Sequence, residues 1–150
     1  MKTAALLLLL LFPAFSPLLH ATHNPDDILG YWMTAQNNLK VQVYKVNGEY
    51  RGKIIWFEEK GYKAKMNDCR DEMNPNPALR DRKILGLEVL TNLHYEADED
   101  NWEGGTIYDS NSGHSYDSVI NMNTASTITV TGYWMFTWLG KDLNFYRVSQ

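Results

Sequence analysis

The sequence predicts an all-β protein that forms a single up-and-down antiparallel β-barrel of about eight strands. Runs of residues that alternate between apolar and polar recur along the chain, and most are separated by short turns rich in Asn, Gly and Asp. No amphipathic helix of any length interrupts these runs. The first run opens with Gly30 and Trp32, and the last contains Arg147, whose guanidinium would stack on the indole and reach backbone carbonyls. That contact would join the first strand to the last, as closing a barrel requires.

The first 21 residues have the pattern of a secretory signal peptide. Lys2 supplies the positive start, residues 6–12 form an unbroken apolar run, and Ala21 is a small residue at the expected cleavage point. The apolar run is too short to cross a bilayer as a helix. We therefore expect export to the periplasm or the exterior, and a mature chain of residues 22–150 that forms one domain. An uncleaved membrane anchor is the alternative.

The net charge of the mature chain limits the classes of partner that it can bind. Removing Lys2 with the leader leaves 13 basic against 18 acidic residues and a net charge of −5. An acidic surface disfavours nucleic acid and anionic membranes as main partners. Cys69 is the single cysteine, so an intrachain disulfide is excluded despite the oxidising destination. We expect a small loop residue there and a monomer or weak oligomer, with a reactive thiol or a linked dimer as alternatives.

Turn chemistry and a period of two predict the first elements. Asn24 precedes Pro25, which is typical of a capped 3₁₀ turn, and a strand over residues 29–34 follows. A second strand begins at Leu39, where apolar and polar residues alternate.

Asn47-Gly48 then predicts a hairpin, because both residues tolerate the positive φ of a type I′ turn. The return strand is predicted over residues 49–58.

Residues 61–82 have no sustained period and are too long for an ordinary hairpin connection. Asn76 and Pro77 favour a short helical turn over residues 77–81, with Asn76 as the cap and Pro77 in the first position. Long ordered loops often carry function, although this one could also be a tolerated insertion.

Five further runs complete the predicted strands. They span residues 84–95, 102–109, 114–122, 127–136 and 143–148. Gly86 suggests a bulge or a bend at a barrel corner, and Gly104-Gly105 marks a place where a large group packs close to the backbone.

Several unusual motifs occur in a fixed order over nearly the whole mature chain. They are Asp68; Asn74-Pro75-x-Pro77-x-x-Arg80-x-Arg82; Ile84-x-Gly86-Leu87; Trp102-x-Gly104-Gly105-x-Ile107-Tyr108-Asp109; Gly113; Tyr116; Gly132-Tyr133; Leu139-Gly140; and Arg147. With these motifs the chain resembles the secreted bacterial proteins grouped as domain of unknown function 2147. The resemblance implies a small exported domain with a calycin-type, lipocalin-like barrel and no established activity. One departure is the bulky run from Trp134 to Trp138, which would narrow any cavity.

The sequence lacks the common patterns for catalysis and metal binding. His23, His94 and His114 have no close spacing, which disfavours a zinc site. A run resembling a calcium loop starts at Asp109, but Ile120 stands where that loop needs Glu. Neither a nucleophile elbow nor a phosphate-binding glycine loop is present. We therefore predict no catalytic residue, no metal and no cofactor.

A group of polar residues is the best candidate for a ligand site at the barrel mouth. They are Asp68, Asn74, Arg80 and Arg82 in the long loop, with Tyr108, Asp109 and Tyr116 from the strands that follow. Arg80 and Arg82 point to opposite sides if extended, so one would face the mouth and bind a carboxylate or phosphate. The alternative is structural, with Asp68 and Arg82 pinning the loop to the barrel. Gly30, Trp32 and Arg147 are expected to close the barrel.

Three hypotheses for function remain open. The first is a binding module that holds a small, partly apolar ligand, with an anionic group as one option. The second is a structural or protein-interaction module of the cell envelope, whose barrel is filled by its own side chains. The third is a small hydrolase-type enzyme with a carboxylate and an arginine at the mouth. Interior volume separates the first from the second, and a strongly shifted carboxyl pKa would favour the third.

Overall fold

The described part of the chain folds into a closed, all-antiparallel β-barrel. The structure is a computed structural model that describes residues 23–60, 65–133 and 140–150. The described residues form β1 (Gly30–Thr34), β2 (Leu39–Val46), β3 (Glu49–Phe57), β4 (Glu88–Glu96), β5 (Asn101–Asp109), β6 (His114–Thr124), β7 (Thr127–Tyr133) and β8 (Lys141–Val148). Each strand pairs with the next along the chain, and β8 pairs with β1. The prediction of an eight-stranded up-and-down barrel is therefore confirmed. The predicted leader (residues 1–21) and the bulky run at 134–138 lie outside the described residues.

The first and last strands meet at the residues singled out in the sequence. Trp32 is paired with Arg147 across β1 and β8. The Arg147 guanidinium lies over the indole, with its carbon 4.2 Å from the ring centroid. Its Nη1 donates to the carbonyl of Leu29 at 2.7 Å and its Nε to that of Ala125 at 2.9 Å. Gly30 has φ +127°, and a Cβ there would lie 2.9 Å from Arg147 Nη1, so glycine leaves room for the guanidinium.

A 3₁₀ turn covers one end of the barrel, here termed the closed end. It spans Pro25–Ile28, and Asn24 caps it with a side-chain oxygen that accepts from the backbone of Asp26. The Ile28 side chain is fully buried, and its carbonyl accepts from Trp32 Nε1 at 2.9 Å. Trp102 Nε1 donates to the carbonyl of Pro25 at 2.9 Å. Two indoles thus satisfy backbone groups of the turn while they fill the core beneath it.

The long connection between β3 and β4 completes the barrel wall at the other, open end. The predicted strand over residues 84–95 begins only at Glu88, because Gly86 at φ +86° turns the chain first. The backbone of Ile54 bonds to Gly86 and Leu87 on either side of this turn. Ile54 and Phe57 pack with Cys69 and Ile84 in a small second core. A connection expected to be a polar loop therefore contributes apolar side chains to the wall.

The smaller local predictions agree with the structure apart from boundaries. The turn predicted over residues 77–81 is the 3₁₀ turn Pro77–Leu79, and the Asn76 side chain accepts from the backbone of Ala78. Asn47 and Gly48 have φ of 51° and 89°, as a type I′ hairpin requires. A Cβ on Gly105 would lie 2.8 Å from the Thr91 carbonyl and 2.9 Å from Leu93. That confirms the predicted close packing at Gly105, whereas a Cβ on Gly104 would meet nothing within 4 Å.

Candidate functional site

The barrel encloses a cavity of about 1100 Å³ at its open end. The cavity reaches down to Trp32, which also belongs to the packed core. Its walls are the inward side chains of the strands, and most are apolar. They include Val41, Val43, Ile54, Phe57, Leu90, Ile107, Ile120, Ile128, Val130, Leu143 and Phe145, together with the phenol rings of Tyr116 and Tyr133. The barrel interior is therefore partly open and largely apolar.

Charged residues are confined to the mouth of this cavity. Asp109 and Asp142 are held by neighbours: Asp109 accepts from Ser112 Oγ at 2.8 Å, and Asp142 accepts from Thr131 Oγ1 at 2.7 Å. Lys60 and Lys141 also line the mouth, and within the described part of the chain neither forms an ion pair. Glu58 lines the mouth as well, so the two ammonium groups lie among three carboxylates and the mouth has no net positive charge.

The predicted polar group is organised around a carboxylate that sequence reasoning missed. Asp71 has no exposed surface. Its Oδ1 accepts from the Tyr108 hydroxyl at 2.6 Å, and its Oδ2 accepts from Arg82 Nε at 2.7 Å and Asn74 Nδ2 at 2.8 Å. Arg82 also lies over the Tyr108 ring at 5.3 Å. Three of the predicted site residues therefore converge, but on Asp71 rather than on Asp68.

Electrostatics and packing both make this network a fixed part of the wall. Burial, with a further contribution from the Asp71 carboxylate, raises the pKa of Tyr108 and keeps its hydroxyl protonated as a donor. Asn74 is also buried, and its Nδ2 reaches the Tyr108 oxygen at 3.0 Å. The network joins the long loop to β5, so it holds the loop against the barrel.

The remaining predicted residues are dispersed. Asp68 is exposed at the end of the 3₁₀ turn Met66–Asp68, away from the network. Arg80 Nε donates to the Asn74 carbonyl at 2.8 Å and so braces the loop from its solvent side. Asp109 lies at the cavity mouth and Tyr116 on the cavity wall. Neither arginine lines the interior cavity.

One sequence signal could have found Asp71. The spacing Asp71-x-x-Asn74 before a proline is typical of a side-chain-stabilised turn, and the Asn74 backbone donates to the Asp71 carbonyl at 3.0 Å. Its burial, however, has no signature in a segment without periodicity.

The geometry defines a class of protein: a lipocalin-like barrel, closed by antiparallel strands, with a cavity open at one end. A solved structure described as "Protein HP1028 from the human pathogen Helicobacter pylori belongs to the lipocalin family" has this fold. It shares 25% sequence identity with the chain at a TM-score of 0.67, and the similarity covers 86% of this chain and 85% of that one. Residues 30–147 match the family described as "Uncharacterized protein conserved in bacteria", domain of unknown function 2147. The chain belongs to this family.

No curated protein matches the chain significantly. In the described residues, no helix has both the length and the apolar character needed to span a membrane.

Proposed function

We propose that the protein binds a small, partly apolar ligand inside the barrel, with a polar end at the mouth. The observation that carries this proposal is the interior cavity of about 1100 Å³ with largely apolar walls. Small-molecule sites typically measure about 300–1,000 Å³ and combine apolar walls with a few polar groups. A barrel filled by its own side chains, the structural alternative, would leave no such volume.

The polar end of the ligand is proposed to be anionic. Lys60 and Lys141 lie at the mouth without a described ion-pair partner, and of the three carboxylates there Asp109 and Asp142 accept hydrogen bonds from hydroxyls while Glu58 is the competing acceptor. A carboxylate or similar group beside the lysines would gain a charge-assisted hydrogen bond. The contact with the lysines takes the place of the expected contact with Arg80 or Arg82, because both arginines are hydrogen-bonded to groups of the long loop.

The carboxyl groups whose pKa is clearly shifted lie at the closed end of the barrel. Asp26 and Asp100 both have a lowered pKa, whereas burial of a catalytic acid in a cavity would raise its pKa. The Lys45 ammonium lowers the pKa of Asp26, and hydrogen bonding from the His23 backbone lowers that of Asp100. Neither lies on the cavity wall.

The site of action is proposed to be outside the cytoplasm. The support is the leader pattern over residues 1–21, with its positive start and short apolar run. Intact-mass measurement of exported protein would test this, since cleavage after Ala21 predicts a chain that starts at Thr22. Retention of the apolar run would contradict it.

The binding proposal is tested with anilinonaphthalene sulfonate, a fluorescent probe that is both apolar and anionic. Val130 faces the cavity, so Val130→Phe should fill part of it and weaken probe binding by about tenfold or more, which is about 1.4 kcal/mol. The matched control is Val119→Phe, which places the same ring on the outer face of β6 and should leave the affinity unchanged.

The double variant Lys60→Gln with Lys141→Gln should weaken binding of the anionic probe. Its affinity for a neutral apolar dye should be unchanged. A cooperative denaturant transition for each variant excludes probe binding to a loosened state. Equal affinity in Val130→Phe and wild type would overturn the proposal.

A further inference from the structure

A second, smaller cavity lies outside the barrel, between the sheet and the long loop. It has a volume of about 310 Å³ and is termed here the outer cleft. Its lining includes Pro75, Arg82, Thr91, Thr106, Tyr108 and Ser115. Thr91 and Thr106 form a direct cross-strand pair on β4 and β5 and make the floor. Ser115 on β6 is paired with Tyr108 and extends the same surface.

The charged side chains that line the outer cleft are held by neighbouring groups. Arg82 is paired with the buried Asp71 at 2.7 Å. Glu88, at the other end, accepts from the Tyr44 hydroxyl at 2.8 Å and from Arg51 Nη1 at 3.3 Å, and Arg51 is also paired with Glu49. The cleft therefore has no excess positive charge and favours a neutral ligand over an anion.

The polar groups left to a ligand are hydroxyls. Thr91, Thr106 and Ser115 each line the cleft, and none of their side chains is hydrogen-bonded to the described part of the chain. A hydroxyl donates one hydrogen bond and accepts two, so it pairs best with groups that also do both. Three such groups on one surface match a ligand that carries several hydroxyls.

The aromatic wall of the cleft is fixed before any ligand arrives. Asp71 holds the Tyr108 hydroxyl at 2.6 Å, and the Arg82 guanidinium covers the ring at 5.3 Å. Pro75 is conformationally restricted by its own ring. Binding against such a wall costs little side-chain entropy, which matters most for a small ligand with few contacts.

We propose that the outer cleft is a binding site for a neutral, polyhydroxylated ring, the chemistry of one sugar residue of a glycan. The volume is at the low end of the range of about 300–1,000 Å³ for ligand sites, which limits the occupant to about one ring. Hydroxyls of the ring would bond to Thr91, Thr106 and Ser115, and its C–H face would pack on the Tyr108 side of the cleft. The outer cleft shares Val89 and Tyr108 with the lining of the interior cavity, but the proposal does not depend on the ligand proposed there.

Saturation-transfer NMR with methyl β-glucoside tests the proposal on the folded mature protein. The double variant Thr91→Val with Thr106→Val keeps the β-branched shape and removes two hydroxyls. We expect the glucoside affinity to fall by about tenfold, as for the loss of two hydrogen bonds of modest net strength. Ser115→Ala, at an exposed position, gives a smaller loss in the same direction. Thr129→Val on β7 and Val130→Phe in the interior are controls and leave the signal unchanged.

Three results would overturn the proposal. The first is the absence of any saturable glucoside signal with the wild-type protein. The second is an unchanged signal in both the double variant and Ser115→Ala. The third is displacement of the glucoside by acetate at similar concentration, which would make the cleft an anion site based on Arg82. Failure of the wild-type protein to bind the interior probe, with retained glucoside binding, would refute only the proposed function.

Discussion

A carboxylate with no exposed surface is stable only where hydrogen bonds replace its water shell, and Asp71 meets this condition with donors from two elements. Arg82 and Asn74 come from the long loop, and Tyr108 comes from β5. One side chain thus fixes the loop to the sheet and shapes both the barrel wall and the outer cleft.

We expect Asp71→Ala to lower the free energy of unfolding by roughly 1.5–3 kcal/mol, the range for hydrogen bonds to a charged group. The lower part of that range applies if the Arg82 guanidinium, which is 36% exposed, becomes hydrated by solvent once its partner is removed. Denaturant melts measure the change. Asp68→Ala is the matched control in the same loop and should cost less than about 0.5 kcal/mol, as exposed positions usually do. An equal loss of unfolding free energy in the two variants would show that Asp71 does not hold the loop to the sheet.

The stacked pair at the strand junction supports a second prediction at this scale. Trp32→Ala should lower the free energy of unfolding by about 3–5 kcal/mol, because it empties a large, fully buried site. Arg147→Ala should cost less, since the residue is only half-buried.

A double-mutant cycle on Trp32 and Arg147 should give a coupling of about 1 kcal/mol from the guanidinium stacked at 4.2 Å. Strict additivity would show that the two side chains act independently, and the closure argument would fail.

At the scale of elements, the long connection is a patch of wall held in place at more than one point. Arg70 and Lys83 of the connection form a β-bridge with each other, and Cys69 packs in the second core. Met73, between them in the sequence, lies against the β5–β6 turn, where a Cβ on Gly113 would come within 2.0 Å of its carbonyl oxygen. The loop cannot shift there without moving the turn.

Gly113→Ala should therefore destabilise the protein and speed proteolysis within the loop. Gly104→Ala is the matched control, because both glycines have φ +73° but a Cβ at Gly104 meets nothing within 4 Å. The control carries only the conformational cost of a left-handed residue, about 1–2 kcal/mol. The difference between the variants isolates the contact with Met73. Similar cleavage rates would show that the loop is not held at this point.

The strands could be predicted from the sequence because one face of each is buried, which imposes a period of two that residues such as Val41 and Val43 display directly. The structure of the region around Ile84 could not be predicted in this way. Its apolar residues look like a strand, but Gly86 takes a positive φ and the side chains pack outside the regular ladder. The polar site was predicted in composition but not in geometry, since burial of Asp71 depends on contacts with Tyr108 from a strand 37 residues away.

At the scale of the whole molecule, the two ends of the barrel have different roles. The closed end is packed with Trp32, Trp102 and Ile28, all at most 1% exposed, whereas the open end leads into the cavity. Whether a barrel interior is filled depends on side-chain volumes summed over all strands, so the alternation pattern alone could not decide between a filled and an empty barrel.

The closed end also makes a prediction about acid stability. Asp100 accepts hydrogen bonds from the His23 backbone at 2.7 Å and from the Tyr95 hydroxyl at 2.7 Å, and the first of these contributes most to lowering its pKa. A carboxyl with a depressed folded-state pKa stabilises the fold above its unfolded-state value, near pH 4, and loses that contribution as the pH falls through the folded-state value. Asp100→Asn should therefore flatten the loss of stability below about pH 4.

Thermal melts between neutral pH and pH 2 would measure this slope. Asp98→Asn, an exposed neighbour in the same turn, serves as the control and should retain the wild-type slope. If stability falls with pH equally in Asp100→Asn and wild type, the stability of the N-terminal segment does not depend on this carboxylate.

The pairing of β1 with β8 has a consequence for how the chain is made. The bond from Arg147 to the Leu29 carbonyl spans 118 positions, so the first strand emerges from the ribosome long before its partner exists. Until β8 is complete, the outer edges of β1 and β7 are both open to pairing with other chains. A chain truncated shortly before Arg147 would therefore form an open sheet that is prone to aggregation.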